Sequence, residues 1–441
     1  MATTYFYYES GDRFTVYNSH TKKIETVDRL SYGKDSKIYY VFEDYATHEG
    51  LEQFEQFETD FNQWCDEIHF VINYKRFKCH ESAIEAIVKN HCDYYDEFEP
   101  SDIKEALWLE KCNNSGLQKL LKAGEMQCCG YDFRAFYLSL LGSCGNKKIS
   151  KLEIPTKRGR EVTLTELDFY KLEVGMYHVK IQSTDPHLYL DIVKTMCTQI
   201  HVCIKYSNVK IKAKILPLNW YKMGNKMHTC TGKQKDGIHK ASYYFKRLYK
   251  KLIECKDRFP KNQLVKFICS SLWGHSCRFN IKNKTIDEIE EEDLYCSKTI
   301  DDPKAEYWIR NMTGTYYELV NMKQPYRNNF ARMKPFLLSA GRVITGNVCI
   351  LYPEDLVRVH TDGIVFNKNH EDVMTHFKTY PDLLSEKKTT GLIDWQKTNN
   401  YHNVTHKERH GKYNRKYYKK KLGFTKPSAF FRNNIRLFRS P

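Results

Sequence analysis

The chain has 441 residues, 41% hydrophobic and 14% aromatic, enough apolar surface for a large core and more than one subdomain. Its formal net charge is +16, from 70 Lys and Arg against 54 Asp and Glu, a balance that suits a polyanionic partner. The start, "MATTYFYYESGDRF", has no apolar core followed by a cleavage site, and no apolar run approaches the roughly eighteen residues of a membrane span, so the 15 cysteines read as reduced intracellular thiols with no membrane partner.

Residues 1–125 read as mixed strands and helices: "KIYYVFEDY" runs like a strand, and "ESAIEAIVKNH" has helical spacing. In "MQCCGYDFRAFYLSLLG" an apolar strand ends at Asp132 and a short helix follows with Phe133, Phe136, Tyr137 and Leu140 in helical register. "EVGMYHVKI", "QIHVCIKY" and "VKIKAKIL" read as further strands. The first and last cysteines of "CTQIHVC", Cys197 and Cys203, with His201 and the later Cys230, lack paired knuckle spacing; His201 and Cys203 share one face of an alternating strand, where packing explains both.

From about 238 the pattern turns helical. "IHKASYYFKRLYKKLIECKD" and "NQLVKFICSSLWG", separated by a turn at Pro260, predict a basic antiparallel helical hairpin. "NKTIDEIEEEDLYCSKTIDDPKAEYW" reads as a charged loop, and "NFARMKPFLLSAGRVITGNVCILY" as a long buried helix. That helix feeds "VRVHTDGIVF", whose period-2 alternation marks a strand pair with Gly363 at the bend and Asp362 at its tip. A helix ("HEDVMTHFKTY") and a strand ("GLIDWQK") come next. After Asp394 the only acid is Glu408, against a run of lysines and arginines from Lys407 to Arg439 interleaved with Tyr413, Tyr417, Tyr418, Phe424, Phe430 and Phe431. Cations for phosphates and aromatic faces for bases point this tail at nucleic acid.

Three elements thus stand in order: a strand-end Asp132, a helix carrying Lys266, and a hairpin-tip Asp362. "YDFRAFYLSLL" resembles the first motif of family B DNA polymerases, Asp-x-x-Ser-Leu-Tyr-Pro-Ser-Ile; "KFICSSLWG" resembles the second, Lys-x-x-x-Asn-Ser-x-Tyr-Gly; "VHTDGI" resembles the third, Tyr-x-Asp-Thr-Asp-Ser. The long helix before the third motif, and Ile154-Pro155 with "GMYHVKI" after the first, sit where compact viral, plasmid and transposon members, the protein-primed type among them, have such features. The likeness spans about residues 125–425.

The resemblance implies an α+β right-hand fold. Its parts would be an N-terminal mixed α/β domain (1–125), a palm in two pieces (126–237 and 277–394), helical-hairpin fingers (238–276) and a small basic thumb or tail (395–441). It implies two-metal nucleotidyl transfer with Mg²⁺, or Mn²⁺ as the alternative, held by Asp132, Asp362 and the backbone carbonyl of Phe133. Lys266 would face the triphosphate, with Lys250 and Lys261 as weaker candidates; Tyr137 holds the steric-gate position under the sugar, and Ser270 and Trp273 would line the nascent base pair. The implied partners are template and primer DNA, deoxynucleoside triphosphates and, among the priming modes left open, a terminal protein; a viral member would act in the host cytoplasm or nucleus.

Departures from the family pattern are specific. His360 stands where the third motif has its first acid, which lowers the charge of the site; it either favours the softer Mn²⁺ or is a packed histidine that touches no metal. Ala135 and Leu138 replace Ser and Pro, Ser270 and Trp273 replace Asn and Tyr, and Gly363 replaces the last Ser. In the N-terminal part, Val41 and Lys78 occupy exonuclease acid positions, leaving Glu43 and Asp44 without their partners, so no proofreading is expected. The rival reading is a catalytically weak or inactive polymerase-like DNA-binding protein.

Overall fold

The structure is a computed structural model of the 441-residue chain. It describes residues 4–10, 13–18, 21, 23–27, 37–40, 56, 59, 63, 66, 80–92, 95–112, 116–142, 152–163, 175–183, 200–202, 213–222, 237–259, 263–275, 277–313, 316–349, 351–370, 372–373, 384–385, 391–397 and 400–403. They form a mixed α+β fold in two compact units, one of residues 1–90, 255–268 and 406–441, the other of 91–254 and 269–405. No described helix is long and apolar enough to cross a membrane.

In the first unit, β1 (Thr4–Ser10), β2 (Arg13–Asn18), β3 (Lys23–Val27) and β4 (Lys37–Tyr40) make a sheet in the order β3-β2-β1-β4. β1 and β2 pair antiparallel from Tyr5↔Asn18 to Ser10↔Arg13, across Gly11-Asp12, residue types that suit a tight hairpin turn. β4 joins β1 in parallel. The N-terminal exonuclease positions Val41, Glu43, Asp44 and Lys78 lie outside the described residues, as does the basic tail beyond 403.

Helix α1 (His80–His91) leads into the second unit, where α2 (Ile103–Cys112) starts on an Asp102 cap, whose Oδ1 accepts from Glu105 N–H at 2.8 Å. β5 (Gln118–Leu120) and β6 (Gly124–Phe133) then enter the main sheet, and α3 (Phe136–Gly142) follows β6 after a turn in which Ala135 has φ +45°. β7 (Glu153–Pro155), β8 (Arg160–Thr163), β9 (Gly175–Ser183), β10 (Ile200–Val202), β11 (Ala213–Lys222) and β12 (Ile238–Lys240) complete the first half. β12 pairs with β7, and the other four form a sheet in the order β10-β9-β11-β8.

Helices α4 (Ala241–Arg258) and α5 (Gln263–His275) fall where the helical hairpin is expected. The stretch read as a charged loop is instead ordered structure: β13 (Ile281–Lys284), α6 (Ile286–Glu291), β14 (Cys296–Ser297), β15 (Tyr307–Thr313) and β16 (Tyr316–Asn321), with sheet order β13-β16-β15-β14. Ile289, Tyr307 and Leu319 give it a small core of its own. A reciprocal cap starts α6: Thr285 Oγ1 accepts from Glu288 N–H at 3.2 Å while Glu288 Oε2 accepts from Thr285 N–H at 2.8 Å.

A 3₁₀ turn (Asn329–Arg332) leads into α7 (Met333–Cys349), the long buried helix, in which Phe336, Leu337, Leu338, Val348 and Cys349 are fully buried. It packs against α3 so closely that a Cβ at Gly341 would stand 2.9 Å from Tyr137 Cε1 and 3.0 Å from Phe136 Cε1. Next come β17 (Leu356–His360), β18 (Gly363–Phe366), β19 (Leu384–Ser385), β20 (Gly391–Lys397) and β21 (Asn400–Asn403). The main sheet runs β21-β20-β6-β18-β17-β5, with β19 also on β6. Strand β20 continues across position 394, and Trp395 pairs with Gly124 inside this sheet.

At the start of α7, Arg332 is fully buried and bonded all round. Nε and Nη2 donate to the two carboxylate oxygens of Glu105 at 2.8 and 2.5 Å, Nη1 to the carbonyls of Glu99 and Thr156 (3.2 Å to the latter), and Nη2 to that of Pro100 at 3.2 Å. Arg332→Met strands a buried carboxylate and three carbonyls, so the unit should lose roughly 3–5 kcal/mol of stability in a denaturant titration. A midpoint unchanged from the parent chain would contradict that account.

Candidate active site

The site is built on the register between β6 and β18. They pair antiparallel through Gly363↔Asp132, Ile364↔Tyr131, Val365↔Gly130 and Phe366↔Cys129, and β17 pairs with β18 through His360↔Gly363 and Arg358↔Val365. Alternation then sorts the side chains. Tyr131, Phe133, Val359, Ile364 and Phe366 share one face, and Phe133 stacks on Phe136 of α3 with centroids 4.8 Å apart. Asp132, His360, Arg358, Val365, Ile393 and Trp395 share the other, which opens on a cleft of about 260 Å³. The hairpin-tip Asp362 lines the same cleft.

The tip is held from below. Thr361 donates its N–H to the Leu117 carbonyl at 2.6 Å, and its own carbonyl accepts from Thr345 Oγ1 of α7 at 3.0 Å. Asp362 is tied to β6 by the Phe133 N–H, which donates to its carbonyl at 3.2 Å. Thr361, not Gly363, makes the bend: its φ is +60°, unusual for a β-branched residue, whereas Gly363 is already in β18. The two acids are therefore neighbours: a Cβ at Gly363, next to Asp362, would lie 3.7 Å from Asp132 Oδ1.

Electrostatics set the state of His360. Burial, then the nearby Arg358, hold its imidazole below the usual range, and the Asp132 charge only partly offsets them, which favours the neutral form. The donors facing the cleft are two carboxylates, with the Phe133 backbone beside Asp362. Such an oxygen set fits a hard divalent cation that keeps places for water and phosphate oxygens, and a neutral imidazole beside it adds a softer nitrogen suited to Mn²⁺. Among the described residues no three His, Cys, Asp or Glu side chains form a closed metal cage.

Tyr137 lies on α3, the helix that follows β6. It is 6% exposed, its ring 5.2 Å from Phe136 and 4.9 Å from Trp273 of α5, and its hydroxyl is buried without a hydrogen-bond partner. The hydroxyl reaches the hairpin tip, where a Cβ at Gly116 would come within 2.8 Å of it and 3.0 Å of Thr361 Cα. Burial pushes this phenol far up; the Arg342 charge opposes that and the Asp362 charge adds to it. Trp273 is thus beside Tyr137, Ser270 is exposed on the same helix, and Lys250 is exposed on α4. The side chain of Lys266, within α5, and the whole of Lys261 lie outside the described residues, as do the side chains of His201 and the residues Cys197, Cys203 and Cys230.

The structure adds residues that the sequence reading passed over. Arg358 lies over the Trp395 ring at 5.1 Å, and Lys334 lies over Trp273 at 5.4 Å. Arg342 acts on the Tyr137 hydroxyl. The signals were present: Arg358 is two residues from His360 on one strand, and Lys334 and Arg342 are eight apart on one helix, hence on one face.

No protein-family model matches the sequence, and no curated protein matches it. Among solved structures, the chain is similar to "Phi29 DNA polymerase complexed with primer-template DNA and incoming nucleotide substrates", with TM-score 0.47 and 11% identity over 74% of this chain and 55% of that one. It is also similar to the same polymerase complexed with single-stranded DNA, with TM-score 0.43 and 10% identity over 68% of this chain and 50% of that one. The chain spans about half the length of the polymerase it matches.

Proposed function

We propose that the chain is a template-directed DNA polymerase of the family B kind, which joins deoxynucleotides to a primer 3′-hydroxyl and lacks proofreading. The observation that carries this reading is the Gly363↔Asp132 register, which sets Asp362 beside Asp132 on the open face of a sheet whose other face is packed. Divalent cations bound there would activate the hydroxyl and offset charge on the triphosphate. Asp132 and Asp362 would hold them, with the Phe133 carbonyl. Lys266 would neutralise the leaving diphosphate, assisted by Lys250 or Lys261, while Tyr137, Ser270 and Trp273 would shape the pocket for sugar and base. His360 in place of an acid favours a second reading, a catalytically weak or inactive polymerase-like DNA-binding protein. Primer extension with Mg²⁺ and with Mn²⁺ separates the two: binding without extension in either metal selects the second.

Asp132→Asn and Asp362→Asn should each lower the extension rate at least about a hundredfold with DNA affinity kept, since each removes a carboxylate that would hold the divalent cations. Near-normal extension by either variant would sink the assignment. Tyr137→Ala should admit ribonucleotides while deoxynucleotide use persists. Tyr137→Phe removes only a buried hydroxyl without a partner, so stability should hold or rise by about 1 kcal/mol and sugar discrimination should stay. Unchanged ribose rejection by Tyr137→Ala would make the ring a core residue and nothing more.

A further inference from the structure

Helix α4 is anchored by one face and turns the other to solvent. Tyr244, Phe245, Leu248, Leu252 and Cys255 are buried, and the Tyr244 hydroxyl donates to Glu97 Oε2 at 2.7 Å. At about 3.6 residues per turn, Tyr243, Lys246, Arg247 and Lys250 fall on the opposite side, and all four are exposed, Tyr243 by 47%. The Tyr243 ring is set by its neighbours: it stacks on His239 with centroids 6.3 Å apart and meets the Tyr244 ring edge-on at 5.1 Å. We propose that this outward face is a binding track for single-stranded nucleic acid, with a base stacked on Tyr243 and backbone phosphates on Lys246 and Arg247.

The charges stand where helix stability alone would not put them. The first turn of α4 has no acid, and the turns after it carry Lys246, Arg247, Lys250 and Lys251. Like charges three and four residues apart destabilise a helix, and cations in its first half oppose the positive end of its dipole. Among the described residues no carboxylate pairs with Lys246, Arg247 or Lys250. A bound polyanion offsets both penalties at once. The exposed ring then decides the kind of polyanion. A tyrosine already held against two rings loses little freedom when a base stacks on it, and every unpaired base offers it a π-face, whereas the bases of a duplex are stacked on one another. None of these residues lines the cleft at Asp132 and Asp362, so the track is a second surface.

The inference goes beyond the polymerase reading, and its test needs no nucleotide addition. Binding of the full chain to a labelled oligothymidylate, and to a blunt duplex of the same length, is measured by anisotropy across a salt series. Lys246→Gln combined with Arg247→Gln should reduce the slope of log affinity against log salt for the single strand by about 1.4, two phosphate contacts. Lys298→Gln combined with Lys323→Gln removes the same charge from exposed positions elsewhere and should keep the parental slope. Lys250 is left unchanged because it is a candidate at the triphosphate. Tyr243→Ala should bind the single strand about tenfold more weakly and the duplex as the parent does, while Tyr243→Phe keeps both affinities. In thermal melting of the free protein, the variant lacking Lys246 and Arg247 should melt at or above the parental temperature, because like charges are relieved. A parental slope in that variant, an equal loss in the control pair, a duplex affinity that falls with Tyr243→Ala as far as the single-strand affinity, or a parent chain that binds no oligothymidylate overturns the proposal. A chain that shows the expected shifts but extends no primer keeps the track and loses the polymerase reading instead.

Discussion

The second unit depends on a cation placed where water cannot reach it. Arg332 makes five hydrogen bonds with the five N–H donors that a guanidinium has, and every acceptor lies on a different stretch from its own: Glu99, Pro100 and Glu105 ahead of and within α2, and Thr156 beyond β7. A buried pair of this kind adds little net stability over a well-packed apolar replacement, because desolvation of both charges costs several kcal/mol. Its contribution is geometric. The start of α7 is placed where all five donors are satisfied. From that fixed start, Gly341 admits Tyr137 and Thr345 reaches the carbonyl of Thr361.

The hairpin tip inherits this order. Thr361 is held in a left-handed conformation by its N–H bond to the Leu117 carbonyl and by the bond its own carbonyl accepts from Thr345, and Asp362 follows it over the end of β6. The position of one carboxylate relative to the other is thus set by backbone pairing and a helix, without any need for the two acids to attract each other. Two like charges held this close raise the local negative potential, which suits a cation-binding site and disfavours an empty turn. Arg358 on the same face offsets part of that charge at a distance along β17.

Much of this was legible because it is periodic or local. Asp132 at a strand end, the alternation around Asp362, and the helical runs at His80–His91, Ala241–Arg258 and Met333–Cys349 follow from spacing alone. The sheet from Ile281 to Asn321 is hidden by its charge, since its strands carry Lys, Arg and Glu that are partly buried in ion pairs such as Lys284–Glu292 and Arg310–Glu318. Thr285-Ile-Asp-Glu288 is a capping box that would have marked α6, and Gly314 lies between two alternating runs as a hairpin signal. Glycine's tolerance of a positive φ points to Gly363 as the bend; the structure puts it at Thr361, where tertiary bonds offset the strain. No local pattern reports such bonds, nor the five partners of Arg332.

The central claim is that Asp132 and Asp362 act as one divalent-cation site. The direct measurement is Mn²⁺ binding by paramagnetic resonance to the parent chain, Asp132→Asn, Asp362→Asn and the double variant. If the acids share the ion, each single variant loses nearly as much affinity as the double, because removal of either donor breaks the same site. Losses that simply add, or parental affinity in either single variant, would mean that the two carboxylates do not share a metal.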